Sequence, residues 1–373
     1  MKTTKNIARL AVTAGLTAVL SFGGVMAPVT MAFAAGSTTV TFDCGGYEGS
    51  TAYKGIQIFK ANVTTANGTT TVCNIDWASS EVETAVVAAI QEIESTYTST
   101  NAQDAADWLN EHNKDANRTD SDTKVNNGHV LSVIASKLEN TGTWSKTSAG
   151  SPSLTGLDAG YWLFLTDATV KPSGKSTDAF TSPVYSVIDG TNTTVTITPK
   201  KSVPTVEKKI KNDDGSDWAD KADSQMGQKV DYKLTGTVAS NIATFDTYYY
   251  EFSDKLSEGL TADDSSVVVK IGDTTLSRNK TPGANTGYDV SIDNATNTLT
   301  VKFADLKAAA KQVNATLDGS SNVVVTYTAQ LDSAKAEKVV VGGTGNENTV
   351  KLIYSNNPMG DGKGESVSDT VRD

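Results

Sequence analysis

The sequence predicts a mainly β protein in two parts: an α+β N-terminal domain, then an immunoglobulin-like β-sandwich. Three observations carry this. The chain has 373 residues, 38% hydrophobic and 20% charged, enough apolar material for two cores and too much for a disordered chain. Up to about Pro199, strand-like runs are interrupted by three stretches of helical periodicity. Beyond Pro199, short runs of period-two alternation follow one another with turn signals between them.

Residues 1–34 read as a secretory signal. Lys2, Lys5 and Arg9 form a basic start, an apolar stretch runs from Leu10 to Val25, and Ala32-Phe33-Ala34 is a cleavage pattern. Gly23, Gly24 and Pro28 interrupt the run, which argues against a membrane-spanning helix. The N-terminal domain is placed at residues 35–199. Strands are expected at 38–42, 52–59 and 71–75. Helices are expected at 81–93, with Val82, Val86, Ile90 and Ile93 on one face, at 102–112 behind Thr100-Asn101, and at 130–138. Strands return at 160–165, 184–188 and 193–198. The linker 199–204 leads to a second domain at residues 200–358. Its strands are expected at 206–210, 230–234, 267–271, 298–303, 323–331 and 348–354, with one helix at 304–313. Residues 359–373, rich in Gly, Asp and Ser, read as a tail leading to a missing C-terminal domain.

Charge and composition narrow the function. Removing the signal takes away three basic residues and no acid, leaving 29 basic residues against 43 acidic. A surface this acidic repels nucleic acid and anionic lipid. With two His and two Cys there is little material for a zinc site or a histidine-based enzyme, and no metal or cofactor is expected. His112 and His129 have no readable catalytic partners. No nucleophile-elbow, zinc-protease, phosphate-loop or dinucleotide motif is present, and the Gly342–Gly345 run leads into a strand rather than a helix. Export places Cys44 and Cys73 in an oxidising compartment, where a disulfide between them is expected over a pair of buried thiols.

One constellation carries chemistry. In Val206-Glu207-Lys208-Lys209-Ile210, alternation places Lys208 on the same inward face as Val206 and Ile210. Asp254 is in phase with Phe252, and Asn348 with Val350, Leu352 and Tyr354. A lysine, an acid and an amide meeting in an apolar interior can react once. Burial favours the neutral amine and the protonated acid, and the amine can then attack the amide and expel ammonia, leaving a Lys–Asn isopeptide bond. On these residues alone a plainer reading stands beside it: a snorkelling Lys, an Asn capping a turn and an Asp at a loop. Asn356 is in phase with Asn348 and is a second candidate acceptor.

The chain resembles the sortase-assembled backbone pilins of Gram-positive bacteria. The runs that carry the resemblance are 206–210, 227–234, 252–260 with its Asp-x-Leu-x-x-Gly-Leu, and 345–358 with its Tyr-Ser-Asn-Asn-Pro, together with Leu157-Asp158-Ala159-Gly160-Tyr161-Trp162-Leu163 in the first half. The resemblance implies a Cna-type sandwich with a Lys208–Asn348 isopeptide bond and Asp254 as its catalytic acid. It implies a structural shaft subunit rather than an enzyme, attached to the cell wall. Other pilin subunits and a pilus-specific sortase are its partners, with host surface ligands possible in addition. It also implies an intersubunit acceptor at Lys200, since Val195, Ile197, Pro199 and Lys200 match the family's pilin motif. Thr191 and Thr198 stand where the motif has Trp and Tyr, and Lys201 is the adjacent competitor. A direct adhesin is the alternative, with an aromatic patch around Trp108, Trp144 or Tyr248 to Tyr250.

Overall fold

The computed structural model describes residues 6–8, 19–22, 36–43, 52–66, 69–112, 130–139, 142–148, 152–167, 180–188, 194–197, 202–211, 215, 217–360 and 362–373. The described residues form two compact units. One takes those up to 197 with 358–360, and the other takes those of 202–357 with 362–373.

The first unit is α+β. Its strands are β1 (Asn6–Ala8), β2 (Val19–Phe22), β3 (Thr38–Phe42), β4 (Tyr53–Ala66), β5 (Thr69–Trp77), β6 (Ser145–Lys146), β7 (Ser153–Leu157), β8 (Gly160–Thr166), β9 (Val184–Ile188) and β10 (Thr194–Ile197). One sheet runs β1-β2-β5-β4-β8-β9 with β6 added on β4, and a second runs β10-β3-β7. Strand β8 is buried along its whole length, because it serves two cores. Tyr161, Leu163 and Leu165 pack with the helices, while Trp162 and Phe164 pack with Val40, Phe42 and Ile197. That accounts for the unbroken apolar run in its sequence.

The helices are α1 (Ser80–Ile93), α2 (Ala102–His112) and α3 (Val130–Glu139). The Ser79 hydroxyl caps α1 by accepting from Val82 N at 3.3 Å, and Glu81 and Glu83 favour its positive end. Asn101 Oδ1 accepts from Gln103 N and Asp104 N at the start of α2. Val82, Val86 and Ile90 are buried as expected, but Ile93 is 49% exposed at the last turn. Of the aromatic residues considered for an adhesin patch, Trp108, Tyr248 and Tyr250 are buried in the cores, while Trp144 and Tyr249 are half-buried.

The second unit is a β-sandwich. Its strands are β11 (Val206–Lys211), β12 (Trp218–Ala219), β13 (Lys229–Thr237), β14 (Tyr250–Leu256), β15 (Leu260–Ile271), β16 (Thr274–Thr275), β17 (Asp289–Asp293), β18 (Thr298–Phe303), β19 (Asn322–Leu331), β20 (Glu347–Ser355), β21 (Lys363–Val367) and β22 (Val371–Arg372). One sheet runs β12-β11-β13-β19-β15-β16. The other runs β17-β18-β14-β20-β21, with β22 also on β20. Tyr232, Leu234 and Val325 from the first sheet share one core with Phe252, Val301, Val350 and Leu352 from the second. The short helix α4 (Leu306–Gln312) is capped by Asp305, whose carboxylate accepts from Lys307 N and Tyr248 N, each at 3.0 Å.

Within the stretch read from sequence as a tail, residues 362–373 belong to this sandwich through β21 and β22. Their Gly, Asp and Ser content hides the strands, because most of their inward positions carry small or polar residues, with only Val371 adding an apolar side chain to the core. Among the described residues no helix is long and apolar enough to cross a membrane.

Candidate functional site

Four side chains meet inside the sandwich. Strand β11 alternates so that Lys208 and Ile210 turn inward while Glu207 is exposed. Strand β14 buries Tyr250, Phe252, Asp254 and Leu256, and β20 buries Asn348, Val350, Leu352 and Tyr354. The pairing of β14 with β20 sets Leu256 opposite Asn348 and Asp254 opposite Val350, so the acid and the amide stand one inward position apart on neighbouring strands. Lys208 comes from the opposite sheet, as does Tyr327 on β19. Lys208 is 2% exposed, Asp254 0%, Asn348 1% and Tyr327 1%.

The contacts form a closed network. The Lys208 ammonium donates to Asp254 Oδ1 in a short ion pair, and to the Tyr327 hydroxyl at 3.2 Å. Tyr327 Oη donates to Asp254 Oδ2 at 2.7 Å. Asn348 Nδ2 donates to Tyr327 Oη at 3.1 Å. The Tyr327 ring stacks on Tyr232 with centroids 5.3 Å apart and planes within 11°, and Lys208 Nζ lies 5.2 Å from the Tyr232 ring centre.

Burial lowers the Lys208 pKa to about 8, against the opposing charge and hydrogen bond of Asp254. The Tyr327 phenol is held well above its usual pKa, first by burial and then by the Asp254 charge, so it stays neutral. Asn348 Oδ1 is buried and makes no hydrogen bond of normal geometry among the described residues. A buried carbonyl oxygen without a donor costs about 1–3 kcal/mol.

Chemically, the site holds an amine that loses its proton readily, a carboxyl group that can receive that proton, and an unhydrated amide. Proton transfer within the Lys208–Asp254 pair yields a neutral amine and a neutral acid without any net change of charge. Among the described residues the Asp254 carboxyl reaches Asn348 through Tyr327, which hydrogen-bonds to both.

The other sequence candidates fall elsewhere. Asn356 is buried beyond the end of β20, its main-chain N donating to Gly362 O at 3.1 Å. It lies eight positions along the chain from Asn348, about 26 Å of extended strand, so it cannot share the Lys208 site. Lys200, Lys201, Cys44 and His129 lie outside the described residues. Cys73 is half-buried on β5, its thiol near Asn62 O at 3.8 Å. His112 is exposed at the end of α2 and stacks on Trp108 at 4.1 Å.

Sequence reasoning missed Tyr327. The signal was present: Val323, Val325, Tyr327, Ala329 and Leu331 alternate inward on β19, and only one of them carries a polar atom. A tyrosine on such a face reads as core packing unless its partners are already known.

No family model and no curated relative matches the sequence. Solved structures do match. Over 90% of its length, at 16% identity and a TM-score of 0.51, the chain follows the T6 backbone pilin of serotype M6 Streptococcus pyogenes, which has a modular three-domain structure. The fold is that of a backbone pilin. Two further likenesses are weaker. BcpA, the major pilin subunit of Bacillus cereus, aligns at 14% identity and a TM-score of 0.40, over 90% of this chain and 68% of its own. The RrgB pilus protein from Streptococcus pneumoniae aligns at 15% and 0.39, over 87% of this chain and 49% of its own. The chain spans 63% of the T6 pilin it matches. Within this pilin fold the four-residue cluster lies between the two sheets of the second unit, and its members come from both.

Proposed function

We infer that the protein is a structural subunit of a covalently polymerised surface pilus, locked by an isopeptide bond between Lys208 and Asn348 with Asp254 as the acid. The observation that carries this reading is the buried network in which Lys208, Asp254 and Asn348 are joined through Tyr327, inside a sandwich of the pilin fold. A lysine sealed at 2% exposure is costly to a protein that only needs a core, and an amide oxygen without a donor adds to that cost. Both features make sense where amine and amide react with each other. The reaction runs once per chain, so the protein is a reactant and not an enzyme.

Polymerisation is assigned to Lys200, the acceptor for the C-terminal acyl group of the next subunit, delivered by a pilus-specific sortase at the cell wall. A disulfide between Cys44 and Cys73 belongs to the same exported state. Two measurements test the reading. The intact mass of the folded chain should be one ammonia below the sequence mass, beyond the two hydrogens of a disulfide. In sortase-expressing cells, Lys200→Ala should abolish polymer ladders while the monomer stays folded. Ladders that persist with crosslinks at Lys201 would refute the acceptor assignment.

A further inference from the structure

An amide nitrogen leaves carbon as ammonia. Two of the three hydrogens are already on Asn348 Nδ2, and the third must be delivered to a buried position. Lys208, Asp254 and Asn348 do not explain that delivery by themselves. The two carboxylate oxygens of Asp254 accept from Lys208 and from Tyr327, and neither contacts the amide nitrogen. Tyr327 Oη stands in the gap, 2.7 Å from Asp254 Oδ2, 3.1 Å from Asn348 Nδ2 and 3.2 Å from Lys208 Nζ.

We propose that Tyr327 is a catalytic residue of the crosslinking reaction, relaying a proton from Asp254 to the departing Nδ2 of Asn348. This rests on the Lys208–Asn348 reading above and adds the route of the leaving-group proton.

The steps balance as follows. Lys208 passes one proton to Asp254, giving an amine and a carboxylic acid. The Nζ lone pair forms a bond to Cγ of Asn348, and the carbonyl electron pair moves to Oδ1. At this stage Cγ is tetrahedral and the Nδ2 lone pair, no longer delocalised into a carbonyl, becomes a hydrogen-bond acceptor. The Tyr327–Nδ2 hydrogen bond then reverses. Tyr327 gives its hydroxyl proton to Nδ2 and takes the Asp254 proton in its place. The Cγ–Nδ2 bond breaks as the Oδ1 electron pair re-forms the carbonyl, and ammonia departs. The Asp254 carboxylate takes the second proton from Nζ. Of the three ammonium hydrogens of Lys208, one ends on the isopeptide nitrogen, one on Asp254 and one on Tyr327 Oη, whose original proton leaves with ammonia.

The position of the hydroxyl is fixed rather than incidental. Tyr327 is on the central strand β19, paired on both sides by β13 and β15, and its ring is held by the stack on Tyr232. A phenol kept neutral by burial serves a relay, since it must donate and accept in the same step.

Tyr327→Phe removes the hydroxyl and keeps the ring in its stack. Uncrosslinked full-length wild-type and variant chains, recovered unfolded from inclusion bodies and refolded side by side, are followed by intact mass and circular dichroism. The expected result is a variant that folds but loses ammonia about 10²- to 10⁴-fold more slowly, the usual range for a positioned acid–base group. Ammonia loss at the wild-type rate overturns the relay and leaves the crosslink standing. A folded wild-type chain that never loses ammonia defeats the crosslink itself, and the relay with it. Should the variant not fold, the wild-type rate in mixtures of light and heavy water decides. A bowed dependence on deuterium fraction means two protons move together and supports the relay, whereas a straight line overturns it.

Discussion

Asn348→Ala isolates the contribution of the strap, because it removes the acceptor and leaves the Lys208–Asp254 pair in place. The bond closes a loop of about 140 residues, and the loop-entropy relation used for disulfides gives about 5 kcal/mol for that length. The second unit has about 170 residues, for which the unfolding entropy near the midpoint is about 0.36 kcal/mol/K. The melting temperature of that unit should therefore fall by about 14 °C. Calorimetry on the full chain reads the transition, and intact mass establishes that wild type has lost one ammonia and the variant none. Asp254→Ala should also retain the ammonia and melt lower still, since Lys208 then sits buried with no carboxylate beside it. A crosslinked wild type melting within a few degrees of Asn348→Ala would show that the bond constrains the unfolded chain far less than its loop length requires.

Two other outcomes follow from the same groups. In Asn348→Ala the Lys208 amine remains titratable, with a folded pKa of about 8 below its unfolded value of 10.5. The unfolded chain then binds more protons across that window, so stability should rise from pH 8 towards pH 10, by up to about 3 kcal/mol; a flat profile from denaturant melts would contradict it. Wild type, its amine consumed in the bond, should lack the rise. The Cys44–Cys73 disulfide should leave no titratable thiol in unfolded, never-reduced protein, and two free thiols would dispose of it.

Period-two alternation made the faces legible and left the partners hidden. Lys208, Asp254 and Asn348 could each be assigned an inward position from their immediate neighbours, because an apolar residue two places away fixes the phase. Which sheet each strand joins is a matter of long-range pairing that no local pattern encodes. Hence the arrival of β11 opposite β14 and β20 was open, and so was the choice between Asn348 and Asn356. Tyr327 escaped for a different reason: a tyrosine among valines on a central strand is ordinary core material until a buried acid and amine appear beside its hydroxyl. Strands β21 and β22 escaped because their sequence carries no alternation of apolar residues: the buried positions of β21 are Gly364 and Ser366, and β22 adds Val371 alone to the core.

The register of the last strands sets a limit on what the bond can protect. With the proposed Lys208–Asn348 bond in place, tension entering near Lys200 would reach Lys208 within eight residues and cross directly to Asn348, shielding everything between those two residues. The shield ends at Asn348. Beyond it, the chain runs out along β20, turns, and returns through β21, until β22 pairs Val371 beside Asn348 again. Load leaving past Val371 therefore acts on a loop of 23 residues whose two ends are neighbours in the sheet, held by β-ladder hydrogen bonds and by the burial of Val350, Leu352 and Tyr354. Straightened, that loop would lengthen the molecule by about 80 Å, against several hundred for the shielded segment. The proposed strap would thus convert a sandwich that could unravel completely into one with a single short extensible element. That element contains the strand that carries the proposed acceptor, so peeling it would stop at the bond, after drawing Val350, Leu352 and Tyr354 out of the core they share with Tyr232, Phe252 and Tyr327.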